Sequence, residues 1–193
     1  KYRGAAPIPR ALLAGDVETG VCVIRMVDRM DAGPILACRK EAILPEDSAV
    51  TLGDRLFAAG AGLFREVLDR LPDEGIPQDE SRATRAPMLK KEEGRIDWNL
   101  PADQITRKVR ALQPWPGAFG TLLPGGLKIS IWKASPVEDG GEPGTLLPGP
   151  ALRVACGKGA LELMEVQAEG KRRMEAGAFL HGARLAPGAR FEA

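Results

Sequence analysis

One histidine, His181, and three cysteines, Cys22, Cys38 and Cys156, are all that 193 residues offer in the way of imidazole and thiolate metal ligands. No His/Cys cluster has ligand spacing, so no metal site is expected. An odd cysteine count without a CxxC pair argues against a disulfide framework as well as zinc, and a reducing cytoplasm is the simplest setting. No apolar run approaches the roughly 18 residues that a membrane span requires. Lys1-Tyr2-Arg3-Gly4 is not followed by the apolar segment of a signal peptide. Neither a P-loop nor a GxGxxG is found, so no nucleotide cofactor is implied. The chain also lacks an initiator Met, and the expectation is that it starts in mid-gene.

What is there is the composition of a soluble globular protein, 44% hydrophobic and 27% charged. The length suits one large or two modest domains. A net charge of +1 hides an asymmetry: residues 41–80 carry 10 acids and 3 bases, whereas residues 82–133 carry 10 bases and 4 acids. A neutral total therefore leaves a polyanionic partner open.

The stretch Gly20 to Leu36 predicts strand, tight turn, strand. Val21, Val23 and Ile24 give a β-branched run, Asp28 to Gly33 carries turn formers, and Pro34 to Cys38 starts a second apolar run. Asp31 sits at the bend. There a carboxylate can orient a histidine or bind a substrate amine, or it can simply close an Asx-turn before Gly33. Ahead of this hairpin, Lys1 to Pro7 reads as a loop and Pro7 to Ala14 as a short helix stopped by Gly15. In that loop Arg3 is an anion or amide donor, or an ordinary loop residue, and Gly4 permits close approach of a backbone to a ligand.

After the hairpin, Thr51 with Asp54 suggests a capping box. The helix it opens runs to about Leu71, with Leu52, Leu56, Leu63, Phe64, Val67, Leu68 and Leu71 on one stripe. Asp73, Glu74, Gly75, Pro77, Gln78, Asp79 and Glu80 then form a polar connector, and the chain turns basic. We therefore divide it into residues 1–74, a linker 75–99 and residues 100–193. Lys90, Lys91 and Arg95 in the linker are placed to meet phosphates, a solvated charged turn being the alternative. Pro101 to Leu112 predicts a helix with Ile105, Val109 and Leu112 inward and Arg107, Lys108 and Arg110 off that stripe, which allows one basic face. Gln113 to Phe119 breaks the helix at a hinge. Leu127–Trp132, Leu152–Cys156 and Leu161–Val166 follow as short strands separated by turns, as in a small barrel of the OB type. Lys171, Arg172 and Arg173 make a basic loop ahead of a short helix through Leu180. His181, just beyond it, reads as a surface or capping residue.

Gly20 to Gly33 resembles the signature of the folate-dependent formyltransferases, in which a β run leads to an acid, a hydrophobic residue and Asp-x-Gly, here Asp28, Met30, Asp31 and Gly33. Cys22 and Arg25 depart from it at non-catalytic positions. Arg3-Gly4-Ala5-Ala6-Pro7, the run Leu89 to Trp98 and Gly170 to Met174 are similar to other parts of that family.

The resemblance implies the C-terminal part of a Rossmann-like α/β catalytic domain followed by an OB-like β-barrel domain, with the first hundred or so residues missing. It implies formyl transfer from 10-formyltetrahydrofolate, the donor substrate, to an amine. The catalytic residue is Asp31, and Arg3, Gly4, Met30 and Gly33 belong to the folate pocket. The family's Asn and His lie upstream of this chain, so the chain alone is expected to be inactive. Among acceptors, initiator methionyl-tRNA in translation initiation fits the basic half best. Its contacts are Lys90, Lys91, Arg95, Arg107, Lys108, Arg110, Lys171, Arg172 and Arg173. A UDP-amino sugar is the alternative acceptor within the family, and a non-catalytic nucleic-acid-binding module the alternative outside it. A cytoplasmic monomer without metal or membrane is expected.

Overall fold

Turn chemistry and apolar spacing settle the first half of the chain. In the computed structural model, which describes residues 1–71, 74–183, 185 and 188–192, helix α1 spans Pro7–Ala14 and ends at a left-handed Gly15. Strands β1 (Glu18–Ile24) and β2 (Ile35–Ala42) pair antiparallel, and helix α2 (Ala49–Leu68) packs against both. Asp73 of the polar connector lies outside the described residues.

Three details differ from the sequence reading. The cap of α2 is Ser48, whose hydroxyl accepts from the Thr51 N–H at 3.2 Å while Thr51 Oγ1 accepts from the Ser48 N–H at 3.0 Å. Thr51 is therefore the inner half of the box, and Asp54 has no part in it. The buried stripe is also narrower than expected: Leu52, Leu56, Leu63 and Val67 are covered, while Phe64, Leu68 and Leu71 are exposed. One hairpin offers a helix only one narrow face to cover. Finally, Cys22 and Cys38 form a disulfide. They are register partners with Cα atoms 4.1 Å apart, the closer of the two antiparallel pair types. The correction comes from strand register, which cysteine count and spacing do not contain.

A buried ion pair closes the turn before α2. Asp47 is 4% exposed, with Arg55 on both carboxylate oxygens, and it accepts from the Leu44 N–H and the Thr51 hydroxyl. The Arg55 guanidinium, helped by these donors against the cost of burial, holds the Asp47 carboxyl down at about 2, from an ordinary 3.8. A folded-state value below the unfolded one means stabilisation that is complete above about pH 3.8 and is lost as the pH falls towards 2. The Asp47→Asn variant is expected to lose about 2–3 kcal/mol of stability at pH 7 by urea unfolding, and to close that gap to wild type near pH 2.

Residues 1–89 and 90–193 are two compact units, so the stretch 75–99 is shared between them. In the second unit Ile96 and Trp98 are buried, and the Ile96 N–H donates to the Phe119 carbonyl at 2.8 Å. Trp98 lies against Phe191 with ring centroids 4.8 Å apart. Helix α3 (Ala102–Ala111) buries Ile105 and Val109, and packs on the strand Leu127–Val137.

The strands are β3 (Ala118–Leu123), β4 (Leu127–Val137), β5 (Leu146–Leu147), β6 (Arg153–Ala155), β7 (Ala160–Ala168), β8 (Met174–Glu175) and β9 (Arg190–Phe191). Their path is β5-β6-β7-β4-β3-β9 with β8 beside β7, and no closed barrel is found among the described residues. A bridge between Thr145 and Arg190, with the Phe191 N–H donating to Gly144 O at 2.8 Å, ties the β9 end to the chain just before β5. Helix α4 (Ala176–Gly182) carries His181 in its last turn, exposed, with Nδ1 2.7 Å from Gly177 O. Among the described residues no helix is long and apolar enough to cross a membrane.

Candidate active site

The β1–β2 connection brings the Asp28–Gly33 turn formers to one end of the hairpin. The Arg25 N–H donates to Pro34 O at 2.9 Å, and Gly33 is pressed so close to the other arm that a Cβ there would lie 1.7 Å from Arg25 O. Asp31 takes a left-handed backbone, φ 55°, uncommon for a residue with a side chain. Its carboxylate is exposed and makes no hydrogen bond among the described residues, so the Asx-turn is not formed. The turn is held by its backbone instead.

Facing it is the Arg3-Gly4 loop. Arg3 pairs with the 84–86 segment: its N–H donates to Thr84 O at 2.8 Å, its carbonyl accepts from Ala86 N–H at 2.7 Å, and Ala6 N–H returns to Ala86 O at 3.1 Å. A Cβ on Gly4 would sit 2.6 Å from Ala86 O, so the close approach made at Gly4 is to this segment. The Arg3 guanidinium is held as a fork by Glu80, two contacts of 2.9 Å, and by Gln78 Oε1 at 2.8 Å. Arg29 reaches the same carboxylate at 2.7 Å. Arg3 first and Arg29 second hold the Glu80 carboxyl down at about 2. Gln78 and Glu80 are site residues that the sequence reading places in a connector. The only local signal is their polarity beside a proline.

Between these loops lies a cavity of roughly 680 Å³, lined by Arg3, Gly4, Arg29, Met30, Asp31 and residues 83–87 among others. Met30 is 80% exposed at its edge. Gly33 is buried behind the turn. Among the described residues no group of His, Cys, Asp or Glu is arranged to hold a metal ion.

The basic residues singled out by sequence all fall in the second unit, in differing states. Lys90, Lys91, Lys171 and Arg172 are exposed, and no ion pair engages them among the described residues. Arg95 pairs with Glu192 at 3.0 Å, and Arg107 with Asp103 at 3.1 Å one helical turn away. Lys108 Nζ donates to Arg95 O, and burial lowers its pKa. Arg110 is half-buried. Arg173 pairs with Glu165 and lies over the Trp132 ring, 4.9 Å from its centre. The structure thus joins the 90–95 segment to α3 through Lys108. The 171–173 loop stands apart from them in sequence, between β7 and β8.

Residues 1–68 match the formyl transferase family model, and residues 88–184 match the model of the formyl transferase C-terminal domain. Among curated relatives, the methionyl-tRNA formyltransferase of Parvibaculum lavamentivorans is 43% identical over 97% of this chain and 63% of its own length. That of Solibacter usitatus is 46% identical, over 96% and 60%. The chain thus spans about 60–63% of the length of these relatives. Among solved structures, HypX from Aquifex aeolicus with tetrahydrofolic acid aligns with a TM-score of 0.71 at 22% identity, over 92% of this chain and 32% of that one. Methionyl-tRNA formyltransferase from Clostridium thermocellum aligns at 0.55 and 21%, over 69% and 57%. At such identities the structural likeness shows the fold alone, a Rossmann-like mixed α/β formyltransferase fold. Sequence carries the rest: with only residues 69–87 and 185–193 outside the two family models, this chain belongs to the formyl transferase family.

Proposed function

We propose that this chain is the later part of a methionyl-tRNA formyltransferase, which moves a formyl group from 10-formyltetrahydrofolate to the amino group of methionyl-initiator tRNA. The observation that carries the reading is Asp31, a carboxylate at the rim of a cavity, its backbone held by Gln78 and its oxygens making no hydrogen bond among the described residues. The identity of 43–46% to proteins of that name supports the acceptor. Asp31 accepts a hydrogen bond from a histidine upstream of these residues, fixing its tautomer and favouring its charged form as the amine loses a proton. The folate lies against Met30 and Gly4, with Gly33 behind the turn. Arg3, engaged by Glu80, shapes this pocket.

In the same reading the second unit is an OB-like barrel, for which the Thr145–Arg190 bridge between the path ends is the support. Lys90, Lys91, Lys171 and Arg172 take tRNA phosphates first, because no acid engages them among the described residues; Arg95, Arg107, Lys108, Arg110 and Arg173 flank them. The enzyme works as a cytoplasmic monomer in translation initiation. In such a compartment the Cys22–Cys38 disulfide of the structure is reduced to two neighbouring thiols.

The test is acceptor choice by the full-length protein. Formyl transfer to methionyl-tRNA and none to a UDP-amino sugar is expected; the reverse pattern, or tRNA binding with no transfer, overturns the reading. For the basic residues, Lys90→Ala with Lys91→Ala is expected to lower the slope of log affinity against log salt by about 2. An unchanged slope in filter binding removes them from the interface.

A further inference from the structure

We infer that Gln78, seconded by Glu80, is a positioning residue for formyl transfer, clasping the Arg3 loop to the Asp31 turn so that the free carboxylate keeps one orientation. The inference rests on the formyl-transfer reading of the site. Gln78 Nε2 donates to Asp31 O at 2.9 Å and to Gly33 O at 2.7 Å, while Oε1 accepts from Arg3 at 2.8 Å. Both N–H groups and the oxygen are thus used. A flipped amide would set its oxygen against two carbonyls and its donors against a guanidinium, so the orientation is determined by the partners.

The two carbonyls flank Ala32 and belong to the residues on either side of it, one of which is the left-handed Asp31. A side chain in that conformation persists where its surroundings over-determine it, and Gln78 supplies the contacts. Glu80 grips the same turn from its other end through Arg29, and its second partner is again Arg3. The clasp engages the Asp31 backbone and, among the described residues, leaves the carboxylate without a hydrogen bond, and Gln78 lies 47 positions down the chain from Asp31 and 45 from Gly33. It therefore holds the Asp31 backbone directly, and through Arg3 and Arg29 the cavity wall beside it.

The full-length enzyme with Gln78→Glu separates the two halves of the clasp, because a carboxylate still accepts from Arg3 but no longer donates to the turn. We expect kcat to fall by about 10-fold with the KM for the folate donor within about twofold of wild type. In an Asp31→Asn background the same change is expected to alter single-turnover rates by less than about twofold, since nothing is left to aim. An equal loss in both backgrounds, or a loss in KM alone, means a merely structural role and overturns the inference. Amide hydrogen exchange of residues 29–34 reads the clasp without reference to activity: faster exchange in Gln78→Glu supports it, and unchanged exchange refutes it. Where wild type transfers no formyl group the functional reading fails, and exchange alone decides the clasp. Gln78→Asn, one methylene short of both carbonyls, serves the same tests if the glutamate variant does not fold.

Discussion

Asp31→Asn in the full-length protein is expected to lower kcat for formyl transfer by about 100-fold or more and to leave folate affinity within about twofold, if the proposed function holds. The substitution is nearly isosteric, and the structure gives the side-chain oxygens no hydrogen bond to lose among the described residues. Stability is therefore expected to stay within about 0.5 kcal/mol of wild type. What changes is charge: the amide can still meet an imidazole, but it cannot stabilise an imidazolium or select the tautomer in the same way. Steady-state kinetics with methionyl-tRNA, equilibrium folate titration and urea unfolding separate the three effects. Turnover within about threefold of wild type removes Asp31 from the catalytic role.

How far the sequence reaches depends on whether the deciding contact is local. Helix α1 with its Gly15 stop and the two arms around Asp31 follow from residues within one turn of each other, and the structure forms them. The end of α2 is harder. Ser48, Thr51 and Asp54 are all capping residues at the right spacing, and the reciprocal bonds of Ser48 with Thr51 win. Apolar residues also outnumber the places available to cover them: Phe57 and Phe64 are exposed on a helix whose inner stripe is filled by leucines.

Non-local partners are where reading fails. Cys22 meets Cys38 because strand register sets them opposite, which spacing rules written for loops do not describe. Arg107 meets Asp103 at a spacing of four and was open to view, but Arg95 meets Glu192 from the far end of its unit. Likewise, Gln78 and Glu80 look like connector because their chemistry lies with residues 3, 29, 31 and 33. Asp31 is singled out because a motif names it; no motif names the groups that hold its backbone.

Gly33→Ala is expected to cost about 3 kcal/mol or more and to abolish measurable turnover, a larger effect on the fold than any other single methyl near the site. A Cβ at 1.7 Å from the Arg25 carbonyl oxygen cannot be met by rotating a side chain, because the obstacle is backbone. The hairpin arms must part there, breaking the bond from the Arg25 N–H to Pro34 O and moving the Gly33 carbonyl away from Gln78. Gly62→Ala is the matched control: it adds the same methyl in the middle of α2, where a Cβ meets nothing within 4 Å. That change should stabilise by up to about 1 kcal/mol through helix propensity and leave turnover unaltered. Urea midpoints and kcat for the two variants test the geometry together. Should Gly33→Ala fold and turn over as Gly62→Ala does, the hairpin has no close crossing at Gly33, and the turn that aims Asp31 is built otherwise.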